Sequence, residues 1–155
     1  MANDLQSELR QTKPFPSLEE EAFLNVERTE TLLADAFEQV LKPYGITGTQ
    51  YNVLRILRGA GGSGLCRNEI RDRLVSRMPD VTRLLDRMES CGMIKRTRST
   101  EDRRLVATEL TAAGRKLVDS LDAVVTAEHK RRLGHLSAEQ LRTLIDLLTA
   151  VRQGG

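Results

Sequence analysis

The residues best placed to do chemistry in this chain are arginines set close to a hydroxyl and a carboxylate. Thr82, Arg83 and Arg87 lie within Val81–Glu89, Arg77 precedes them, and Arg98, Asp102, Arg103 and Arg104 follow a short distance on. A guanidinium offers a rigid fork of donors that matches phosphate oxygens and the O6/N7 edge of guanine. A threonine hydroxyl both donates and accepts. The chemistry such a set suits is recognition of a base-bearing polyanion. Bond-making chemistry has little support. His129 and His135 are the only histidines, with no acid–histidine pattern that suggests a metal, and no nucleophile–base pair is apparent. We therefore expect no enzyme activity, no cofactor and no metal.

The elements that must carry these residues can be read from spacing. Val81, Leu84, Leu85 and Met88 recur at i, i+3, i+4 and i+7, one buried stripe of a helix expected over Ser76–Gly92. Pro79 and Asp80 suit its first turn: proline lacks an N–H that is orphaned there, and aspartate faces the positive end of the dipole. Gly92 is its stop. Met93–Arg98 and Arg104–Leu110 are β-type runs around a polar loop. Before them Arg67–Leu74 forms a short helix, so two helices joined by a tight turn precede a cationic hairpin. In that arrangement the second helix enters the major groove of DNA and the hairpin tip reaches the minor groove.

Charge distribution points the same way. The 155 residues carry a net charge of only +2, yet Gly64–Arg104 holds 11 Lys+Arg against 7 Asp+Glu. A basic middle between acidic flanks suggests that one part alone meets a polyanion. With 30% charged and 3% aromatic residues and no tryptophan, the composition fits a helix-rich soluble protein rather than an all-β one. No apolar run reaches the roughly 18 residues of a membrane span, and the N-terminus lacks the basic start and apolar core of a signal peptide. The expected location is the cytoplasm.

Residues 1–16 are polar, end in Lys13-Pro14-Phe15-Pro16, and are expected to be a flexible arm. Ser17-Leu18-Glu19-Glu20, Thr47-Gly48-Thr49-Gln50 and Ser137-Ala138-Glu139-Gln140 each fit a capping box, in which a hydroxyl and a Glu/Gln carboxyl or amide satisfy two orphan donors. They open a long helix to about Lys42, stopped by Pro43, a second helix containing Tyr51–Leu57, and a last helix carrying Leu141–Val151. Thr111 caps a further helix to about Leu133. Gly59-Ala60-Gly61-Gly62-Ser63-Gly64 has the literal spacing of a dinucleotide fingerprint. It follows a helix and lacks a βαβ unit, so a flexible link between helices is the expected reading. The apolar stripes of residues 17–42 and 111–152 exceed what a small central unit covers, and such helices usually pack on a second copy.

The order of these elements and several local motifs resemble the MarR family of bacterial transcriptional regulators. Ile46-Thr47-Gly48-Thr49-Gln50-Tyr51-Asn52-Val53-Leu54 looks like the opening of the family's second helix. Val81-Thr82-Arg83-Leu84-Leu85-Asp86-Arg87-Met88-Glu89, then Gly92-Met93-Ile94, looks like its recognition helix and exit. Asp102-Arg103-Arg104, then Leu110-Thr111 and Gly114, looks like its wing signature. The resemblance spans residues 17–152. It implies a mainly α fold with a small β-hairpin, a winged helix-turn-helix lobe over 47–110, and dimerisation helices at 17–42 and 111–152, all within one domain of 17–155. It further implies a homodimer on a palindromic double-stranded DNA operator, acting as a repressor relieved by a small-molecule effector. Arg104 would be the wing arginine in the minor groove, Asp102 would hold its guanidinium, and Thr82 and Arg83 would face the major groove.

Each site residue also has a plainer reading. Arg103 is either a phosphate ligand or solvated, and Arg87 either meets DNA or pairs with Asp86 or Glu89. Arg98 and Lys95 either touch phosphates or are solvated strand charges. Cys66 and Cys91 fit no zinc or disulfide pattern and are expected to behave as small apolar residues. The runner-up function is a winged-helix protein-interaction module that does not read DNA. No motif marks an effector pocket.

Overall fold

The computed structural model describes residues 4–102 and 104–154, and its packing divides the chain into two units, 1–39 and 40–155. In the first unit the expected arm contains a helical turn, α1 (Leu5–Glu8), capped where the Ser7 N–H donates to Asp4 Oδ1 at 2.9 Å. Glu8 lies 3.8 Å from Arg28 of the long helix α2 (Leu18–Leu41). Ser17 Oγ accepts the Glu20 N–H at 3.1 Å, one half of the expected capping box; among the described residues Glu20 makes no return bond to the Ser17 N–H. Helix α2 ends where Pro43 removes a donor, and a 3-10 turn over Lys42–Tyr44 closes at Gly45, whose φ of +71° lies in the left-handed region. The apolar stripe of α2 is open to solvent only in its first part, with Phe23 62% and Val26 43% exposed; Leu33, Phe37 and Val40 are half-buried and Leu41 is buried.

The second unit holds α3 (Gly48–Ala60), α4 (Arg67–Arg73), α5 (Val81–Ser90), β1 (Ile94–Arg98), β2 (Val106–Leu110), α6 (Ala112–Leu133) and α7 (Ala138–Gln153). Both halves of the Thr47–Gln50 box form, at 3.0 and 3.2 Å, and Thr111 and Ser137 cap α6 and α7. The core gathers Leu54 and Leu57 of α3, Ile70 of α4, Leu85 and Met88 of α5, Ile94 of β1, and Val118 and Leu121 of α6, all essentially solvent-free. Burying a side chain of this kind stabilises by about 1.5–3 kcal/mol. The expected stripe of α5 is thus its buried face. Helix α7 buries no residue, and Ile145, Leu147 and Val151 are exposed.

The start of α5 differs from expectation. Asp80 is the N-cap, its Oδ1 accepting the Arg83 N–H at 2.9 Å, so the helix begins at Val81 rather than Ser76. Pro79 disfavours the helical region for Met78, which pushes the start downstream. The turn before it is pinned to α3, where the Val75 N–H donates to Asn52 Oδ1 at 2.9 Å. The second strand begins at Val106, not Arg104, which lengthens the hairpin loop.

The hairpin pairs Ile94 with Leu110 through Arg98 with Val106, and Leu65 adds a bridge to Thr108 through reciprocal hydrogen bonds of 3.0 and 2.8 Å. That bridge accounts for the last glycine of the glycine-rich segment. Gly64 has φ +70°, and a Cβ there would lie 2.9 Å from Glu109 Cγ and 3.0 Å from the Thr108 carbonyl oxygen. The close approach belongs to Gly64 alone: Gly59, Gly61 and Gly62 have open space around them, and Gly61–Ser63 forms a 3-10 turn.

Helix α5 ends in a Schellman motif, with Met93 N–H to Met88 O at 3.0 Å and Gly92 N–H to Glu89 O at 2.9 Å. The start of α6 docks on that exit. Thr111 donates its N–H to Met93 O at 3.2 Å and its hydroxyl to Gly92 O, while its Oγ1 accepts the Gly114 N–H at 3.0 Å. A Cβ on Gly114 would lie 2.0 Å from Met93 O. Gly114→Ala should therefore destabilise the fold by about 1–3 kcal/mol, the range for forced overpacking. Urea denaturation measures this; an unchanged midpoint would show that the junction yields freely.

Candidate nucleic-acid interface

On the outward side of α5, Thr82, Arg83 and Arg87 are all exposed, opposite the buried Leu84, Leu85 and Met88. The short cap at Asp80 orients this face. Arg77 is exposed but lies in the turn before the helix, because α5 starts later than its sequence suggests. Arg98 is exposed at the end of β1, and Arg104 is exposed in the hairpin loop. Arg103 lies outside the described residues.

Asp102 contacts Arg104 otherwise than expected. Its Oδ1 accepts the main-chain N–H of Arg104 at 2.9 Å, and its carbonyl accepts the Leu105 N–H at 2.9 Å. Ser99 Oγ accepts the N–H groups of Glu101 and Asp102 at 3.2 and 3.3 Å. Asp102 thus shapes the backbone that presents Arg104 instead of gripping the guanidinium. An aspartate accepting a main-chain N–H two residues on forms its own local turn, and that turn delays the strand to Val106.

Ion pairing separates the arginines into two groups. Arg96 of β1 reaches Asp86 at 2.6 Å and Glu89 at 3.0 Å on α5, and its main-chain N–H donates to Glu89 Oε2 at 3.0 Å. The hydrogen bonds from Arg96 hold the Glu89 carboxyl below the usual range, and Glu89 in turn raises Arg96. Arg58 of α3 clamps α6 through Asp119 and Asp122, each at 2.8 Å. These hydrogen bonds, Asp122 first, push Arg58 upward and hold Asp122 low. By contrast, among the described residues no carboxylate lies within ion-pair distance of Arg77, Arg83, Arg87, Arg98 or Arg104. The alternative pairing of Arg87 with Asp86 or Glu89 does not form, since Arg96 takes both carboxylates. Lys95 pairs across the hairpin with Glu109 at 3.3 Å.

Three residues of this surface have no site role in the sequence reading. Arg96 lies on β1, seven and ten residues from its partners on α5, so no periodicity within one element links them. Asn52 pins the helix-turn-helix turn from a different helix. Arg67, the first residue of α4, donates from Nη1 to Thr82 Oγ1 at 3.0 Å across fifteen residues of sequence. Arg67, Thr82, Arg96 and Arg104, with Cys66 and Thr108, line a cleft of about 390 Å³ between α4, α5 and the hairpin. Both cysteines are free thiols. Cys66 is half-buried at the start of α4, where its N–H donates to Glu69 at 2.8 Å and lowers the Glu69 carboxyl, while Cys91 is exposed at the end of α5 rather than packed as an apolar residue.

A buried core shared by α3, α4, α5 and α6, an α5 outer face of cations without ion-pair partners among the described residues, and an antiparallel hairpin whose loop carries another such arginine define a winged helix-turn-helix. The profile of the MarR family matches residues 44–105, which run from before α3 into the hairpin loop. The chain is 32% identical over 108 residues to the uncharacterized HTH-type transcriptional regulator YdgJ of Bacillus subtilis, covering 70% of this chain and 65% of that protein, just under two thirds of its length. A MarR transcription factor from Planctomyces limnophilus is 40% identical, with a TM-score of 0.68 over 88% of this chain and 99% of that one. A mutant MarR from E. coli complexed with operator DNA is 25% identical, with a TM-score of 0.73 over 96% and 98%. The chain belongs to the MarR family of transcriptional regulators.

Because the folded Glu89 carboxyl is held low, the Arg96 clamp contributes stability that is full above the unfolded carboxylate range and fades as pH falls through the depressed value. Arg96→Ala should lower the melting temperature near neutral pH, and the gap from the unsubstituted protein should close on acidification. A gap independent of pH would assign the loss to packing alone.

Proposed function

We propose that this chain is a homodimeric, sequence-specific DNA-binding regulator that represses transcription from a palindromic operator and is relieved by a small-molecule effector. The observation that carries the reading is the division of the arginines. Arg58 and Arg96 are spent on carboxylates, while Arg77, Arg83, Arg87, Arg98 and Arg104 remain exposed without an ion-pair partner among the described residues. Unpaired guanidiniums on a helix face and in a hairpin loop suit simultaneous contact with bases and phosphates. The bound operator of the E. coli relative favours the same use.

In this reading Thr82 and Arg83 face base edges, and Arg77, Arg87 and Arg98 meet phosphates or the flanks of the groove. Arg103 adds charge to the wing, and Arg104 enters the minor groove on the turn built by Asp102. Residues 17–155 act as one MarR-type domain. The exposed apolar residues of α2 and α7 are covered by a second copy, since Leu18, Phe23, Leu32, Ile145, Leu147 and Val151 are all more than half exposed. The protein works in the cytoplasm without enzymatic activity, and among the described residues no helix is long and apolar enough to cross a membrane.

Two measurements test this. Light scattering at micromolar concentration should return twice the 17.4 kDa chain mass, and a monomer would sink the dimer. Binding isotherms on a site selected from a random DNA pool should place half-site centres about 10–10.5 bp apart or a multiple of that. Arg83→Ala should cost about 1–3 kcal/mol on that site and relax preference at one position per half-site. Arg104→Ala should instead weaken all sequences alike and flatten the salt dependence, because fewer counterions are released. Identical effects of the two changes would refute the division between base and groove contacts.

A further inference from the structure

We infer that Arg67 is a positioning residue that sets which base Thr82 can read, an inference that rests on the DNA-binding reading above. Thr82 is the second residue of α5 and is exposed on its outward face. Its oxygen accepts a hydrogen bond from Arg67 Nη1 at 3.0 Å, and Arg67 comes from the other helix of the helix-turn-helix. Among the described residues Arg67 has no carboxylate partner, so its charge is directed at this hydroxyl rather than at an acid. Both residues stand at the cleft that separates α5 from the hairpin arginine Arg104.

The consequence follows from the inventory of a hydroxyl. Threonine has one O–H donor and two lone pairs, and a guanidinium can only donate. With Arg67 on the oxygen, one lone pair is occupied and the hydroxyl hydrogen points away from the cation. Thr82 therefore meets the groove mainly as a donor. In the major groove the acceptors are purine N7, guanine O6 and thymine O4, whereas cytosine presents only its N4 donor. The base that Thr82 reaches should be a purine or thymine, with cytosine disfavoured. Without Arg67 the hydroxyl rotates freely, serves either donor or acceptor edges, and loses that discrimination. Nothing in sequence spacing links the two residues, since the bond closes across the helix-turn-helix turn.

The test measures binding of the full-length protein to a library of the selected operator in which each half-site position is varied in turn. The unsubstituted protein should disfavour cytosine at one position per half-site by roughly fivefold to tenfold, the discrimination expected of one net hydrogen bond. Thr82→Val, which keeps the shape and removes the hydroxyl, should erase the preference at that position only. Arg67→Met should erase the same preference, and the double variant should do no more than either single change. Arg67→Lys, still a donor, and Thr82→Ser, still a hydroxyl, should each retain part of it. Equal weakening of Arg67→Met on every sequence, with a flatter salt dependence, would make Arg67 a phosphate ligand and overturn the inference. So would an intact preference in Arg67→Met. Failure of the unsubstituted protein to select any sequence would overturn the DNA-binding reading itself and this inference with it.

Discussion

Everything that presents the outer face of α5 depends on one backbone junction. The Schellman exit of α5 leaves the carbonyls of Gly92 and Met93 pointing at the start of α6, and Thr111 satisfies both while capping its own helix. Gly114 then packs so close to Met93 O that no side chain fits. Three elements, α5, the hairpin and α6, are fixed there by main-chain groups of Gly92, Met93 and Gly114 joined through the N–H and hydroxyl of Thr111. Hydrogen bonds are directional, so the angle between the helix and the hairpin is set within narrow limits.

A second level of order comes from electrostatics. Arg96 binds β1 to α5 through two carboxylates that would otherwise present negative charge beside Arg83 and Arg87. It thereby stiffens the angle set at the junction and cleans the field of the outward face. Arg58 performs the corresponding task between α3 and α6. Partly exposed pairs of this kind contribute modestly to stability one by one. Their larger effect is geometric, because a bidentate guanidinium tolerates few orientations. The arginines left over, Arg77, Arg83, Arg87, Arg98 and Arg104, are exposed without an ion-pair partner among the described residues.

The cleft between α4, α5 and the hairpin joins these levels. Its walls are placed by the junction and by the Leu65–Thr108 bridge, and its rim carries Arg67, Thr82 and Arg104. A recognition surface of this type is more than a helix laid in a groove. The first helix of the pair supplies a cation that conditions a hydroxyl on the second, and the loop geometry built by Asp102 decides where the hairpin arginine stands.

Much of this was legible in the sequence, for local physical reasons. The stripe of Val81, Leu84, Leu85 and Met88, the boxes at Thr47 and Ser137, the cap at Thr111 and the break at Pro43 are all short-range features whose energetics are settled within one or two helical turns. So was the exposed placement of Thr82, Arg83 and Arg87, because one face of a helix is known once the other is buried. Boundaries were less legible where two local preferences compete: Asp80 caps instead of joining the first turn, and Asp102 folds the loop instead of holding a guanidinium. What only the tertiary structure decided are the pairings closed between different elements. Arg96 with Asp86 and Glu89, Arg58 with Asp119 and Asp122, Arg67 with Thr82, and Gly64 against the hairpin belong to this group. Sequence spacing carries no signal for them, because a charged side chain meets many partners of opposite sign in the chain. Which one it reaches is fixed only when packing brings the elements together.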